Sequence, residues 1–244
     1  MTIPGGKGAT ELGTVHSVFA SVQGEGPSVG QLHLFVRLAG CDVGCEYCDT
    51  QGALGKSVTE AVISYPACDV RQRNPMHAQI LADVCRKFLN ENPIQGISIT
   101  GGEPLLQAGY VKEMLHCLGT PRPPVMLETS GLHPELLPVL INDIQVVSAD
   151  IKLRSTRVPK ADEAKAVEFI RLASQKVKTW AKVPVDANVS TTEIRRVLSM
   201  LAAAAPTVEV TIQPIEYDTG AKCSHLRNFS SCSRLPLRLG RMPG

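Results

Sequence analysis

The sequence predicts an α/β fold: six mainly parallel strands with helical crossovers, arranged as a partial (β/α)6 barrel or an open sheet. Three observations lead there. Short apolar runs alternate with segments of 3.6-residue periodicity, a rhythm that implies parallel strands and right-handed connections. The rhythm supplies six units, short of the eight that close a standard barrel. Polar, chemically useful side chains fall where the strands end, and that is where α/β folds bind their ligands.

Each element follows from its own residues. Segments 14–22 (TVHSVFASV) and 32–38 (LHLFVRL) carry the Val, Phe and Leu of strands. Between them QGEGPSVG, residues 23–30, holds three Gly and a Pro and reads as a loop. Residues 51–76 are polar and weakly patterned, with the charged run DVRQRNP, and read as an insertion or cap. Ile80, Leu81, Val84, Phe88 and Leu89 then give 77–91 a helical stripe. Strands are expected at 96–100, 124–129, 145–151, 177–183 and 207–213, with helices at 109–118, 134–142, 161–174 and 191–204. Segment 32–38 is the first of the six barrel strands. The whole of 1–244 reads as a single domain, with 218–244 as a C-terminal tail.

Composition narrows the class. Hydrophobic residues make up 43% of the 244 and the net charge is only +2, so a disordered chain is excluded. Gly and Pro are scattered without a period, which excludes collagen-like character. A near-zero net charge gives no general reason to expect nucleic acid or a charged membrane as partner. No apolar run is long enough for a membrane span, and MTIPGGKGATELG lacks the apolar core of a secretory signal. A cytoplasmic location is the expectation.

Eight cysteines then need an account, because reducing conditions disfavour disulfides and direct clustered thiols toward metal or catalysis. Cys68, Cys85, Cys117, Cys223 and Cys232 stand alone, and Cys85 and Cys117 fit the reading of small buried hydrophobes. Cys41, Cys45 and Cys48 sit together as Cys-Asp-Val-Gly-Cys-Glu-Tyr-Cys directly after strand 32–38. A structural zinc ion wants four protein ligands and would need a distant fourth such as Cys68. Three closely spaced thiolates suit a 4Fe-4S cluster and leave one iron open for an exchangeable ligand. Other polar groups mark the later strand ends: Gly101, Gly102 and Glu103, then Thr129 and Ser130, Asp150 and Lys152, and Gln213.

The CxxxCxxC loop and ITGGEP at 99–104 resemble the radical S-adenosylmethionine (radical SAM) superfamily. VFASVQGEGPSVGQLHLFVRLAGCDVGCEYCDT, ITGGEPLLQ, LETSG, SADIKL and IQPI occur in the order of its 7-carboxy-7-deazaguanine synthase family. The resemblance implies a partial (β/α)6 barrel of the radical SAM type. It also implies a lyase that turns 6-carboxy-5,6,7,8-tetrahydropterin into 7-carboxy-7-deazaguanine with loss of ammonia, for queuosine synthesis. Cys41, Cys45 and Cys48 would hold the 4Fe-4S cluster, whose open iron chelates S-adenosyl-L-methionine. Gly101, Gly102, Glu103, Thr129, Ser130, Asp150, Lys152 and Gln213 would surround that cofactor, with Glu103 accepting from its ammonium group. Gln23, Glu25 and Gly26 would lie over the pterin, and Arg37 would take its carboxylate. Thr50, rather than the more acidic Asp49, would ligate Mg2+. A flavodoxin or ferredoxin-like donor and a homodimer complete the implied picture. Two features depart from the family: segment 51–76, and a basic tail from Cys223 without the usual Gln-Thr-His-Lys-type segment. Two other readings stand beside this one, an activating enzyme for a glycyl-radical protein and a non-catalytic zinc-stabilised module. The QGEG loop and the Cys-Asp-Thr ending of the cysteine motif argue against the first of them. His16 and His116 carry little signal and read as structural.

Overall fold

The computed structural model describes residues 11–55 and 57–215. In chain order come β1 (Leu12–Gly13), β2 (Val15–Val22), β3 (Leu32–Leu38), β4 (Glu60–Ser64), β5 (Asp69–Arg73) and β6 (Met76–His77). Then α1 (Ala78–Glu91), β7 (Gly96–Gly101), α2 (Ala108–Leu118), β8 (Val125–Thr129), α3 (Leu137–Leu140) and β9 (Val146–Asp150) follow. The last are α4 (Glu163–Ser174), β10 (Lys178–Val185), α5 (Thr191–Ala204) and β11 (Glu209–Pro214). Nine strands form one sheet in the order β11-β10-β9-β8-β7-β3-β2-β4-β5. From β3 through β7 to β11 every neighbouring pair is parallel. These six neighbour one another in chain order with no reversal, so the sheet winds in one direction as in a barrel, without a doubly wound switch point.

The six strands alternate in a way that positions the site. Leu34, Val36, Leu38, Ile97, Ile99, Leu127, Val147, Ala149, Ala181 and Val183 are buried in the apolar core with Leu81, Phe88, Met114 and Ile170 from the helices. The intervening positions, Phe35, Arg37, Thr100, Glu128, Asp150, Lys182 and Gln213, line a cavity. The helices start where sequence chemistry favours it: Asp162 Oδ1 accepts from Lys165 N at 3.0 Å before α4, and Ser190 Oγ from Glu193 N at 3.1 Å before α5.

Two expectations give way. Segment 51–76 is not a cap: β4 pairs parallel with β2 and β5 pairs antiparallel with β4, so the stretch widens the sheet. Its outer strand DVRQR is exposed at four of five positions and charged at three, which blunts a free edge and erases the apolar alternation that marks a strand. The helix expected over 134–142 is a single turn, because Pro138 fits only the first turn of a helix. Cys85 is fully buried in α1, where burial pushes its thiol up to about 12, as suits a small hydrophobe. The tail 218–244, with Cys223 and Cys232, lies outside the described residues.

Candidate active site

At the carboxyl ends of the parallel strands opens a cavity of about 730 Å³. The three clustered thiols Cys41, Cys45 and Cys48 line it from the loop after β3. Burial raises the Cys45 and Cys48 thiols, so a bound metal would have to displace their protons. Among the described residues no three His, Cys, Asp or Glu side chains converge tightly enough to hold a single metal ion. A lone zinc with bonds near 2.3 Å would draw its thiolates to about 3.8 Å of one another. Three thiols on one short loop along the cavity wall suit a cluster in which each iron takes one ligand.

Gly101 and Gly102 pass directly beneath that loop. A Cβ on Gly101 would sit 2.2 Å from Leu38 O, and one on Gly102 would sit 2.3 Å from Gly40 O. Their bareness lets β7 dock on the root of the cysteine loop, a reason different from the close cofactor approach expected. Glu103 also departs from expectation. It is fully buried and does not line the cavity. Its carboxylate accepts from Leu105 N (3.0 Å), Thr129 Oγ1 (2.8 Å), Ser130 N (2.9 Å) and Ser130 Oγ (2.5 Å). Glu103 therefore pins the end of β8 and leaves Thr129 and Ser130, which do line the cavity, fixed in place.

A charged ladder crosses the lumen. Lys152 Nζ lies 2.7 Å from Asp150 Oδ2, and Lys182 Nζ lies 3.3 Å from Asp150 Oδ1 and 2.8 Å from Glu25 Oε2. Gln213 Nε2 donates to Glu25 Oε1 at 3.1 Å. Burial alone would raise the Asp150 carboxyl, but the two ammonium groups outweigh it and hold it below its usual value. Burial opposes charge on Lys152 and Lys182 as well, and the facing carboxylates override it, so both stay protonated.

The loop 23–30 joins β2 to the antiparallel β3, so it leaves from the end of β3 opposite the cysteines. It turns inward and supplies part of the cavity wall through Gln23, Gly24 and Glu25. Gly26 is not at the cavity; at φ +58° it packs against the buried Trp180 indole, where a Cβ would come within 2.4 Å. Gln23 is nearly fully buried, and its amide makes internal bonds: Nε2 donates to Glu128 Oε1 (2.9 Å) and Ser98 Oγ (3.2 Å), and Oε1 accepts from Glu25 N (3.0 Å). Arg37 lines the opposite wall, with Nη1 donating to Thr50 Oγ1 at 2.9 Å; Thr50 Oγ1 donates to Asp49 Oδ1 at 2.9 Å. Thr50 itself stands just behind the lining.

Glu128, Lys182, Thr100 and the stacked pair Phe19–Phe35 (ring centroids 5.2 Å apart) belong to the cavity and were not singled out in the sequence. Burial raises the Glu128 carboxyl, only partly offset by Gln23 and Lys182. The sequence does carry a signal for these residues. A strand buried on both faces reads as continuously apolar, whereas Thr100, Glu128 and Lys182 each follow a buried apolar residue as a polar interruption of the strand.

The family model of the radical SAM superfamily matches residues 36–201. The chain is 30% identical to 7-carboxy-7-deazaguanine synthase of Geobacter sulfurreducens, over 82% of this chain and 81% of the relative. It is 35% identical to the synthase of Methanopyrus kandleri, over 73% and 72%. The chain belongs to the 7-carboxy-7-deazaguanine synthase family of radical SAM enzymes. The fold agrees: the crystal structure of QueE from Escherichia coli superposes with a TM-score of 0.58 at 22% identity, covering 84% of this chain and 85% of that one. Membership in the radical SAM superfamily implies a 4Fe-4S cluster and S-adenosylmethionine, and the three cavity-lining thiols of this chain are the kind of donors such a cluster takes. No helix among the described residues is long and apolar enough to cross a membrane.

Proposed function

We propose that this radical SAM enzyme converts 6-carboxy-5,6,7,8-tetrahydropterin into 7-carboxy-7-deazaguanine and ammonia, a lyase step toward queuosine. The observation that carries the reading is one cavity lined by three clustered thiols, a guanidinium, four carboxylates and an aromatic pair. Its volume is enough for a cofactor and a small heterocycle together. When bound, the cluster and S-adenosylmethionine supply the hydrogen-abstracting radical. Cys41, Cys45 and Cys48 would hold the cluster. Lys152, Asp150, Thr129, Ser130 and the backbone of Gly101 and Gly102 would hold S-adenosylmethionine, with Glu103 as their support.

For the pterin, Phe19 and Phe35 offer a flat apolar wall, and Arg37 suits its carboxylate. Glu128 and Glu25 face donors of the heterocycle, oriented by Gln23 and by Lys182 with Gln213. Mg2+ would sit at Thr50 beside Asp49. The bond from Arg37 to Thr50 sets the guanidinium beside the hydroxyl that would bind the ion. A flavodoxin or ferredoxin-like donor, a homodimer and a single domain throughout belong to the same reading.

The test is turnover. Anaerobically reconstituted full-length chain, given S-adenosylmethionine, a reductant, Mg2+ and the tetrahydropterin, should be brown and yield the deazapurine absorbance. Colourless zinc protein, or iron-loaded protein that leaves the pterin intact, overturns the proposal.

Two variants refine it. Arg37→Ala should weaken pterin binding roughly 30- to 150-fold, the loss of a charged hydrogen bond, while S-adenosylmethionine affinity holds. Equal pterin affinity in titration calorimetry would remove the clamp. Glu128→Gln should melt about 2–4 °C higher at pH 7. The sign follows from its raised carboxyl: the fold favours the protonated acid, a contribution fully present below about pH 4.3 and lost as pH rises through the folded value. Gln is neutral at every pH, so the gap between variant and parent should close on acidification. A gap independent of pH would show that burial of charge is not its source.

A further inference from the structure

One contact between the cysteine loop and the loop after β8 has no part in the chemistry above. Asp42 follows Cys41 in the cysteine loop, and its Oδ1 lies 3.2 Å from His133 Nε2 in the loop after β8. A carboxylate can only accept, so Nε2 carries the hydrogen. The His133 side chain is 12% exposed, which makes this contact the drier tether of the loop. The other ionic tether, Arg157 to Glu46 at 3.6 Å, has both side chains more than half exposed and is screened by water. The second ring nitrogen of His133 faces Glu135 at 3.3 Å, and Glu135 is mostly exposed with Lys165 at 3.7 Å.

The charge of Asp42 matters because of its neighbour. A thiolate-held iron–sulfur cluster changes potential with nearby net charge, hydrogen bonds and exposure. A bare carboxylate one residue from a ligand opposes the arrival of an electron. We propose that His133 is a positioning residue for the cluster: its hydrogen bond to Asp42 seats the cysteine loop against the β8 loop and offsets the carboxylate, making the cluster easier to reduce. This rests on Cys41, Cys45 and Cys48 holding a 4Fe-4S cluster.

The experiment is a redox titration of the reconstituted full chain followed by electron paramagnetic resonance. His133→Leu should make the one-electron reduction at least about threefold less favourable, a potential about 28 mV more negative. His133→Gln, which keeps an N–H donor, should recover most of the shift. Asp42→Asn alone should leave the potential at or above that of the parent, and in its background His133→Leu should move nothing. An unchanged potential in loaded His133→Leu overturns the proposal. So does the same shift with Asp42→Asn present, since the effect would not pass through Asp42. Should His133→Leu fail to load iron, a more negative potential in Asp42→Asn alone overturns it. A parent chain that assembles no cluster at all defeats the cluster assignment itself, an outcome distinct from the others.

Discussion

Lys182→Met should lower the melting temperature by roughly 6–12 °C and abolish measurable pterin binding, while leaving the three thiols able to load iron. The Lys182 ammonium is the group in contact with both Glu25 and Asp150, at 2.8 and 3.3 Å. All three side chains are less than one-third exposed. Removing Lys182 takes from Glu25 its ammonium partner and leaves Asp150 with Lys152 alone in a poor solvent, at a cost of about 3 kcal/mol. The loop that carries Glu25 would lose its tether to β10, and the cavity wall facing the pterin would loosen with it. The acid side of the pH response should flatten. In the parent, Asp150 is held low by Lys152 and Lys182, so its contribution is present above about pH 3.9 and fades as pH falls through the lower folded value. In the variant only Lys152 remains beside Asp150, so its carboxyl should be held less far below the usual range and less stability should be lost on acidification. Adding Glu25→Gln should recover part of the loss. Differential scanning calorimetry from pH 4 to 8 and pterin titration read both effects. An unchanged melting temperature with parent-like pterin affinity would mean that the ladder does not hold the loop.

Much of this arrangement was legible in the sequence, for physical reasons. The six parallel strands and the helices α1, α2, α4 and α5 announce themselves by periodicity, because each buries one face against the other layer. The cysteine loop and the groups at strand ends were legible because open α/β architecture collects function there. Failures came where a local rule competed. Pro138 shortened α3 although Leu136, Leu137 and Leu140 kept a helical spacing. The β4–β5 extension was hidden by the polarity that an edge strand needs. Glu128 and Lys182 were missed because they lie inside strands rather than at their ends. The inward turn of the loop 23–30 depends on β2 being antiparallel to β3, a pairing that short-range pattern does not specify. Glu103 was recognisable as important but not as buried, since a motif names a residue without saying which of its atoms are already bonded.

Gly101→Ala should be the most damaging small substitution in the chain, costing about 3 kcal/mol or more and preventing iron loading. Two penalties combine there. At φ +142° the backbone is in a region that L side chains rarely adopt, and a Cβ would press to 2.2 Å from Leu38 O and 2.5 Å from Leu38 N. Leu38 pairs with Gly101 at the last rung between β3 and β7, one turn of chain before Cys41. The added methyl can be accommodated only by parting the two strands where the cysteine loop begins. Gly119 separates the two penalties, because it also has positive φ (+78°) but nothing lies within 4 Å of its would-be Cβ. Gly119→Ala should cost about 1–2 kcal/mol of backbone strain and load iron normally. Denaturant melts and iron content of the two variants give the comparison. If Gly101→Ala loses no more than Gly119→Ala and still takes up iron, close contact between β7 and β3 is not what seats the cysteine loop. If the two part as expected, the excess measures the contact itself, and the first glycine of the motif is required by the neighbouring strand before any cofactor arrives.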